Sequence, residues 1–458
     1  IVNSSGIPIK IKTTNFEDYN IVKTDGYQYS ARNLSAIKPE SYSPDFYNFA
    51  PELKASLTEF DMEGVKGINN TWEDFGKWMN DKLIQGTREL PSRLKMEIGL
   101  LTANAKTNLE KAKIVYQYIQ DKTRYVSVQI GIGGWKPMLA SDVHRLGYGD
   151  CKGLSNYTKA LMDEAGVESY YAIIYGDQDI RDIDSSFSSV QGNHAVLCIK
   201  NDADYIWLEC TSQISPFGYN ANFTDDRDAL IITPEGGKIV HTTIYKTEDN
   251  ILDTKASITL TETGDVSATI VSKSYGTQFG YRNGLQNQTI IDQKLHYKDR
   301  WSYINGLEVD SMDYNIDKDA VVYTEKIAIS ANRYASKTGN RILVQPNLFN
   351  KTETAPQRYQ DRKIPFEMER GYTDIDVYEI AVPNSFEVEA LTEDVNITNQ
   401  FGEYTTSIIQ NEQNKLVYNR KLIINKGAYK KEDYELFRAF ILEVVKNDKA
   451  KIVLISKT

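Results

Sequence analysis

The sequence contains few of the residues that build metal sites or disulfide frameworks. It has three cysteines and four histidines among 458 residues, and three cysteines are too few for a disulfide framework in a chain of this length. No two of these residues have the spacing of metal ligands, and no phosphate-binding loop or dinucleotide fingerprint occurs. We therefore predict no metal and no other cofactor.

The sequence also lacks long apolar runs and an excess of positive charge. No run of about 18 apolar residues is present, so no transmembrane segment is predicted. The net charge is −10, whereas binding to phosphate groups needs a clustered positive field. This balance excludes a broad nucleic-acid interface, and we predict no nucleic-acid partner.

At 458 residues the chain is too long for one hydrophobic core, and its residue pattern changes twice. Residues 1–70 alternate short apolar runs with proline, serine and asparagine, and Ile7–Lys12 has the period-2 pattern of a strand. Helical periodicity, followed by strands, is predicted across residues 71–245. Residues 246–458 are mostly strand-like and include a predicted helix over Glu432–Val445. The pattern indicates an α+β protein.

Several local signals define individual elements. Thr107, with Glu110 three residues later, has the pattern of a helix capping box. The glycine-rich segment Gly131–Pro137 has neither a helical nor a strand period and is predicted to be a loop. Ala256–Thr261 and Val266–Val271 flank a Gly-Asp turn, which predicts a β-hairpin.

Cys151 is the residue best suited to nucleophilic chemistry. The apolar spacing after it predicts a helix that starts at Cys151 and closes at Gly166, and Gly149 permits a tight turn before it. The unpaired N–H groups and the dipole at a helix N-terminus stabilise a thiolate, which is the nucleophilic form of cysteine. The pattern therefore predicts an activated cysteine.

A histidine and a carboxylate follow on two predicted strands that a short turn joins. If Asn201 and Asp202 are the central turn residues, His194 and Glu209 lie directly opposite each other. A turn centred one residue later makes them diagonal neighbours. Both registers put the two side chains on one face of the sheet, so Glu209 can orient the imidazole while it takes the proton of Cys151.

The same two registers separate the other cysteines. Both place Cys198 on the face of His194 and Cys210 on the opposite face. A disulfide between Cys198 and Cys210 is therefore disfavoured, and we predict that both are small, unpaired core residues.

These residues form part of a longer pattern. It consists of an Arg-Tyr pair that ends a helix, a Gly-Gly-aromatic-x-Pro loop, Gly-Asp-Cys-Lys, a histidine on a strand, and Trp-x-Asp followed by Thr. The corresponding segments are Arg124–Tyr125, Gly133–Pro137, Gly149–Lys152, His194–Val196 and Trp207–Thr211. Over residues 107–218 the chain thus resembles the transglutaminase-like superfamily, which shares the papain-like cysteine fold. It is similar to bacterial proteins, common in Bacteroidetes, that flank this domain with two β-rich domains of unknown function.

The resemblance implies a fold and a domain order. The fold is α+β, with a central papain/transglutaminase-like domain whose nucleophile helix packs on an antiparallel sheet, flanked by β-rich domains. Residues 1–70 would be the C-terminal part of an N-terminal β-rich domain. Residues 71–245 would be the transglutaminase-like domain, and residues 246–458 a C-terminal β-rich domain with a terminal helix.

The resemblance also implies a location and partners. It indicates the periplasm or the cell surface of a Gram-negative bacterium, a protein or peptide substrate, and other envelope proteins as further partners. The chain begins at Ile1, and its first segment has neither a signal-peptide nor a lipid-anchor motif. We expect the N-terminus of the encoded protein to lie upstream.

Two positions depart from the family pattern. Glu209 stands where the family has Asp, and the extra methylene moves the carboxylate away from its strand. Gly153 stands where the family often has Asp, although glycine early in a helix costs up to about 1 kcal/mol relative to alanine.

An oxyanion hole needs a donor besides the N–H of Cys151. The indole of Trp135 and the side-chain amide of Gln129 are the predicted donors, and core filling is the alternative interpretation of Trp135. His144 is predicted to be an exposed polar loop residue outside the site.

Two functions remain open at this point. The first is cysteine-dependent acyl transfer on a peptide or side-chain amide, with Cys151 as nucleophile, His194 as base and Glu209 as its orienting group. Water as acceptor would make the protein a peptidase or amidase, and an amine would make it a cross-linking enzyme. The second is an inactive transglutaminase-like scaffold or binding subunit of an envelope complex.

Overall fold

The computed structural model describes residues 1–411 and 414–457, and packing divides the chain into two compact units. Unit 1 comprises residues 1–37 and 45–244, and unit 2 comprises residues 38–44 and 245–458. A compact unit can contain more than one domain. The division into domains at residues 70 and 245 therefore remains a prediction.

Unit 1 combines helices and short strands. Its helices are α1 (Phe46–Phe49), α2 (Trp72–Trp78), α3 (Ser92–Thr102), α4 (Asn108–Lys122), α5 (Ala140–Leu146) and α6 (Cys151–Glu164). Its strands are β1 (Ile9–Thr14), β2 (Val22–Asp25), β3 (Gln28–Ser30), β4 (Glu52–Leu57), β5 (Glu59–Met62), β6 (Val65–Ile68), β7 (Arg124–Tyr125), β8 (Tyr148–Gly149), β9 (Ser169–Ile174), β10 (His194–Asn201), β11 (Asp204–Leu208), β12 (Asp228–Thr233) and β13 (Gly236–His241). Short 3-10 helices form at Glu17–Tyr19 and Gly131–Gly134, and a π-helical segment, Met79–Ile84, continues α2.

An antiparallel five-stranded sheet in the order β11-β10-β9-β12-β13 is the centre of unit 1. Alternation along β10 sends Ala195 and Leu197 towards α6 and Val196 and Cys198 to the opposite face. Because both faces are covered, the strands are apolar almost throughout. Packing of the sheet on α6 thereby positions β10, which begins at His194, relative to the start of α6.

Lysines of the N-terminal strands hold the long loop between β9 and β10. Lys12 Nζ lies 2.8 Å from both carboxylate oxygens of Asp184, and Lys54 Nζ lies 2.9 Å from Asp184 Oδ2. Lys10 Nζ donates to the carbonyl of Ser188 at 2.8 Å. Strands β1 and β4, which pair antiparallel, therefore anchor the loop that leads into the candidate site.

Unit 2 is built mainly of strands. They are β14 (Ile251–Leu260), β15 (Val266–Ser274), β16 (Leu307–Asp317), β17 (Val322–Ala331), β18 (Ser336–Thr338), β19 (Arg341–Val344), β20 (Phe366–Met368), β21 (Tyr372–Ala381), β22 (Phe386–Ala390), β23 (Val395–Asn399), β24 (Gly402–Gln410), β25 (Lys415–Ile424), β26 (Gly427–Tyr429) and β27 (Ile452–Ser456). Its helices are α7 (Thr277–Gly280), α8 (Ile290–Arg300) and α9 (Tyr434–Asp448), with 3-10 helices at Leu285–Asn287 and Lys431–Asp433.

The strands of unit 2 form an eight-stranded sheet in the order β16-β17-β15-β14-β21-β25-β24-β23 and a four-stranded sheet in the order β18-β19-β27-β22. Ile342 and Leu454 of the smaller sheet share one apolar cluster with Ile258 and Ile329 of the larger sheet. Helix α9 packs through Phe437 and its neighbours in a second cluster with β24 and β25.

A buried ionic network lies in unit 2 beside these clusters. Arg420 Nη1 lies 2.9 Å from Asp376 Oδ2, and Arg420 Nε lies 2.8 Å from Asp448 Oδ1. Tyr378 donates its hydroxyl proton to Asp376 at 3.0 Å, and Tyr404 donates to Asp448 at 2.8 Å. A buried guanidinium thus pairs with two buried carboxylates within the fold, and burial raises the pKa of Asp376 to about 7.

The structure confirms the α+β fold and most of the predicted elements. Thr107 and Glu110 form the predicted capping box, and β14 and β15 form the predicted hairpin. The prediction of a loop without helix over Gly131–Pro137 is wrong in part, because its first residues form a 3-10 turn. Within the residues described, no helix combines the length and apolarity that crossing a bilayer requires.

Candidate active site

Cys151 is the first residue of α6, as its sequence context predicts. Asp150 precedes the helix and accepts a hydrogen bond from the N–H of Gly153 at 2.8 Å, which satisfies one of the unpaired N–H groups at this end. Lys152 forms a buried ion pair with the other oxygen of Asp150. The start of α6 is therefore fixed on both sides of the cysteine.

Gly153 lies in close packing at the same helix end. A Cβ atom at this position would lie 3.3 Å from the Cβ of Met138 and 3.5 Å from a methyl group of Val143. The larger Asp of the family pattern would need these neighbours to move. The glycine therefore follows from how tightly α5 and the preceding loop approach α6.

His194, the first residue of β10, and Glu209, which directly follows β11, come together. Residues of β10 and β11 pair so that Asn201 lies opposite Asp204, which puts Asp202 and Ala203 at the centre of the turn. His194 and Glu209 are thus diagonal neighbours, the second of the two predicted registers. His194 Nε2 lies 2.8 Å from Glu209 Oε2.

The pair is strongly coupled by charge. Burial alone would lower the pKa of His194, but the charge of Glu209 and a hydrogen bond with Cys151 outweigh burial and raise it to about 10. Burial would raise the pKa of Glu209, and the positive charge of His194 lowers it instead. Glu209 occupies Nε2, which leaves Nδ1 as the ring nitrogen for Cys151. His194 is therefore coupled to the carboxylate of Glu209 and to the thiol of Cys151.

Neighbours hold the carboxylate and the ring in place. The backbone N–H of Thr211 donates to Glu209 Oε1 at 2.9 Å, and its hydroxyl donates to the same oxygen. Tyr116 donates to the backbone carbonyl of Glu209 at 2.9 Å. The ring of Phe223 meets the imidazole edge to face, with centroids 5.1 Å apart.

No role was predicted for these supporting residues. Thr211 had a usable signal, because it follows the acid in the family pattern. Phe223 and Tyr116 had none, since each reaches the site only through the tertiary fold.

The predicted oxyanion donors lie in different surroundings. Trp135 is half-buried and packs against the apolar cluster that includes Cys151, whereas Gln129 is exposed. Both assignments remain predictions. His144 is exposed as expected but lies in α5 rather than in a loop, and its Nδ1 is 3.1 Å from the hydroxyl of Tyr157.

Access to the sulfur is narrow. Cys151 is 7% exposed. Two surface cavities of unit 1, of about 660 and 450 Å3, are lined by other residues. Cys198 and Cys210 are buried and, like Cys151, unpaired, which confirms the prediction that they form no disulfide.

A group of carboxylates surrounds a second histidine of unit 1. Ligand atoms of Asp182, Asp228 and His241 lie within 4.8 Å of one another. Both ring nitrogens of His241 are already used, at 2.8 Å from Asp228 and 3.1 Å from Asp226. This geometry is that of an imidazolium between carboxylates, because a metal ligand needs a free ring nitrogen.

Two segments of the chain match known protein families. Residues 97–213 match the transglutaminase-like superfamily. Residues 340–454 match a family described as "Domain of Unknown Function with solved-structure structure (DUF3858)". The first segment contains Cys151, His194 and Glu209, and the second lies within unit 2.

The fold is similar to that of a solved structure, a "putative protease" from Parabacteroides distasonis. The TM-score is 0.55 at 13% sequence identity, and the match covers 98% of this chain and 70% of that one. At such low identity the likeness shows a shared fold. No curated protein sequence matches the chain.

Proposed function

We propose that this chain, which contains a transglutaminase-like domain at residues 97–213, catalyses cysteine-dependent acyl transfer on a peptide or side-chain amide. The observation that carries the proposal is the position of His194, 2.8 Å from Glu209 and in interaction with Cys151. A nucleophile, a base and an orienting acid in this order are the parts that the chemistry needs.

The reaction uses each residue in turn. His194 takes the proton of the Cys151 thiol, and the sulfur attacks the amide carbonyl to form a tetrahedral intermediate. The intermediate collapses to a thioester when the amine leaves with the proton held by His194. Water, activated by the same imidazole, then releases the acyl group as a carboxylic acid, whereas an amine acceptor would give a new amide.

Glu209 would hold the ring in the productive tautomer. As a carboxylate it only accepts hydrogen bonds, so it requires the proton of the neutral ring to sit on Nε2. Nδ1 is then free to accept the thiol proton. The two bonds from Thr211 fix the other carboxylate oxygen, which compensates for the longer side chain of Glu in place of Asp.

Stabilisation of the developing oxyanion is assigned to the backbone N–H of Cys151 together with Trp135 or Gln129. Trp135 packs beside the cluster that contains Cys151, and this position favours its indole. The periplasm or cell surface of a Gram-negative bacterium, with a protein or peptide substrate, completes the proposal.

A second function is an inactive scaffold or binding subunit of an envelope complex. The observation that favours it is the 7% exposure of Cys151, since a substrate must reach the sulfur. The replacement of Asp by Glu at position 209 is compatible with it as well.

Thiol labelling separates the two functions. Full-length protein is treated with iodoacetamide near neutral pH, and modification of Cys151 is followed by mass spectrometry. We expect the wild type to react at least about tenfold faster than glutathione, because a helix N-terminus and a neighbouring imidazole favour the nucleophilic form of a cysteine. His194→Ala should remove this advantage.

Cys198 and Cys210 are internal controls, since both are buried and burial raises the pKa of each thiol. They should stay unmodified in every variant that remains folded. Reaction of Cys151 no faster than glutathione, unchanged in His194→Ala, would support the scaffold instead.

A further inference from the structure

A surface cleft of unit 1 lies beside the candidate active site. Its volume is about 450 Å3, and its walls come from β4, from β5 and from the loop between β9 and β10. Phe60, Tyr175 and Phe187 provide aromatic surface. The cleft thus has the size and the partly apolar lining of a pocket for one amino-acid side chain and its backbone.

Arg181 is the cation of this cleft that lacks a carboxylate partner. Its guanidinium carbon lies 4.4 Å from the ring centre of Tyr47 and 4.2 Å from that of Tyr175. Within the described residues it makes no ion pair, whereas Lys54, which also lines the cleft, pairs with both Glu52 and Asp184. Stacking covers the guanidinium faces and leaves its N–H edges for a ligand.

A buried acceptor also lines the cleft. Asn69 is 1% exposed, and its Nδ2 donates to Ser56 Oγ at 2.9 Å. Ser56 directs its own proton to the carbonyl of Leu57 at 3.4 Å, which fixes the orientation of the amide. Asn69 Oδ1 has no donor among the described residues. This oxygen has almost no accessible surface, so it belongs to the wall of the cleft and is not open to a ligand.

The walls of the cleft are held rigidly. Asp184 accepts from Lys12 and Lys54, and its N–H donates to Gln191 Oε1 at 2.8 Å. Gln191 Nε2 donates to the carbonyl of Phe187 at 2.7 Å. A pocket whose polar side chains are already fixed loses little entropy on binding.

The cleft adjoins the reacting groups. Tyr175 follows Ile174, the strand partner of His194. Tyr175 and Phe60 both pack against the apolar cluster that contains Cys151. Tyr175 therefore links the lining of the cleft to the strand end that pairs with His194.

We propose that this cleft binds a carboxylate-bearing residue of a peptide, with the carboxylate on the N–H edge of Arg181. As the specificity pocket for the acyl donor, it rests on the proposed function and names an acidic peptide as the substrate class. The carboxylate can belong to an acidic side chain or to a C-terminus.

Peptide binding to the full chain with Cys151→Ala tests the proposal without any turnover. The probes are three acetylated tripeptides of glycine: one amidated with a central glutamate, one amidated with a central glutamine, and triglycine with a free C-terminal carboxylate. Dissociation constants come from isothermal titration or ligand-observed NMR. We expect at least one carboxylate peptide to bind about tenfold more tightly than the glutamine peptide. Comparison of the two carboxylate peptides shows whether the carboxylate of an acidic side chain or that of a C-terminus is bound.

Variants in the same background locate the effect. Arg181→Gln should abolish the preference, and Arg181→Lys should retain part of it, because the charge remains while the planar fork is lost. Arg93→Gln is the matched control, since Arg93 is exposed on α3. Thermal melting checks that each variant is folded.

The outcomes separate the cleft from the chemistry. Equal binding of all three peptides, or an undiminished preference in folded Arg181→Gln, overturns the inference even if Cys151 is activated. A carboxylate preference that depends on Arg181, together with an inert Cys151, overturns the assignment of the acidic peptide as an acyl donor.

Discussion

The chain buries ionised groups in both units, and the two sets differ in how completely they are paired. In unit 2, Arg420, Asp376 and Asp448 are each at most 3% exposed. Arg420 meets a carboxylate on either side, and each carboxylate also accepts from a tyrosine. In unit 1, His194 meets one carboxylate, Glu209, and its other side meets a thiol.

This difference separates a structural network from a reactive one. Burial and charge occur in both units, so neither property identifies a catalytic site. In a closed network, every ionised group is paired with another fixed group of the same network. The open network of unit 1 ends on the thiol of Cys151, which is the nucleophile in the proposed function.

The strongest test of the comparison removes a carboxylate from the closed network. Asp448→Ala leaves Arg420 buried with one partner, and we expect a loss of about 3 kcal/mol or more in the free energy of unfolding. Glu443→Ala, in the exposed ion pair with Lys446 on the same helix, should cost at most about 1 kcal/mol. Urea denaturation measures both.

Labelling of Cys151 completes this test. At a temperature at which both variants are folded, the labelling rate should equal that of the wild type. A slower rate in folded Asp448→Ala would break the distinction between a structural and a reactive network.

The next test uses the pH dependence of the open pair. The pKa of His194 is raised from its ordinary value to about 10, so its contribution to stability is full below about pH 6.5 and is lost as pH rises through about 10. The wild type should lose at least about 1.4 kcal/mol more than Glu209→Gln between pH 7 and pH 10.

Urea denaturation across this pH range measures the difference. Glu209→Asp is the matched variant, because it keeps the charge and should keep the slope. Parallel stability curves for the wild type and Glu209→Gln would show that His194 and Glu209 are not coupled.

The smallest effect is expected at Gly176. A Cβ there would lie 2.7 Å from the ring of Phe223 and 3.0 Å from the Cβ of His194. Gly176→Ala should cost about 1 kcal/mol through overpacking and slow the labelling of Cys151. Gly99→Ala, at a helical position with open space, should stabilise by about 0.5 kcal/mol and leave labelling unchanged. Similar effects of the two substitutions on labelling would show that the packing of Phe223 against His194 is not critical for the reactivity of Cys151.

The sequence predicts which sheet face His194 and Glu209 share better than it predicts the turn between β10 and β11. Asn201 and Asp202 both tolerate a positive φ, and the structure gives it to Asp202. Moving the turn centre by one residue shifts the strand pairing by two, which preserves the face. The common face of His194 and Glu209 was therefore predictable while the register was not.

The closed network of unit 2 could not be predicted in the same way. Strand β21 begins at Tyr372, although Asp374 and Asp376 near its start have the polarity of a loop. Asp376 is paired in the structure with Arg420, which lies 44 residues further along the chain. The local residue pattern around Asp376 does not reveal a partner that is so distant in sequence.

The lysine contacts of the N-terminal strands have a consequence for how the site forms during folding. Lys12 and Asp184 are separated by 172 residues, so their contact closes a very long chain segment, which is entropically costly and slow. The loop before His194 therefore gains its final shape late. A recombinant fragment that starts at residue 71 would lack Lys10, Lys12 and Lys54. The loop between β9 and β10 would then be untethered, and the position of the His194 imidazole would depend on it.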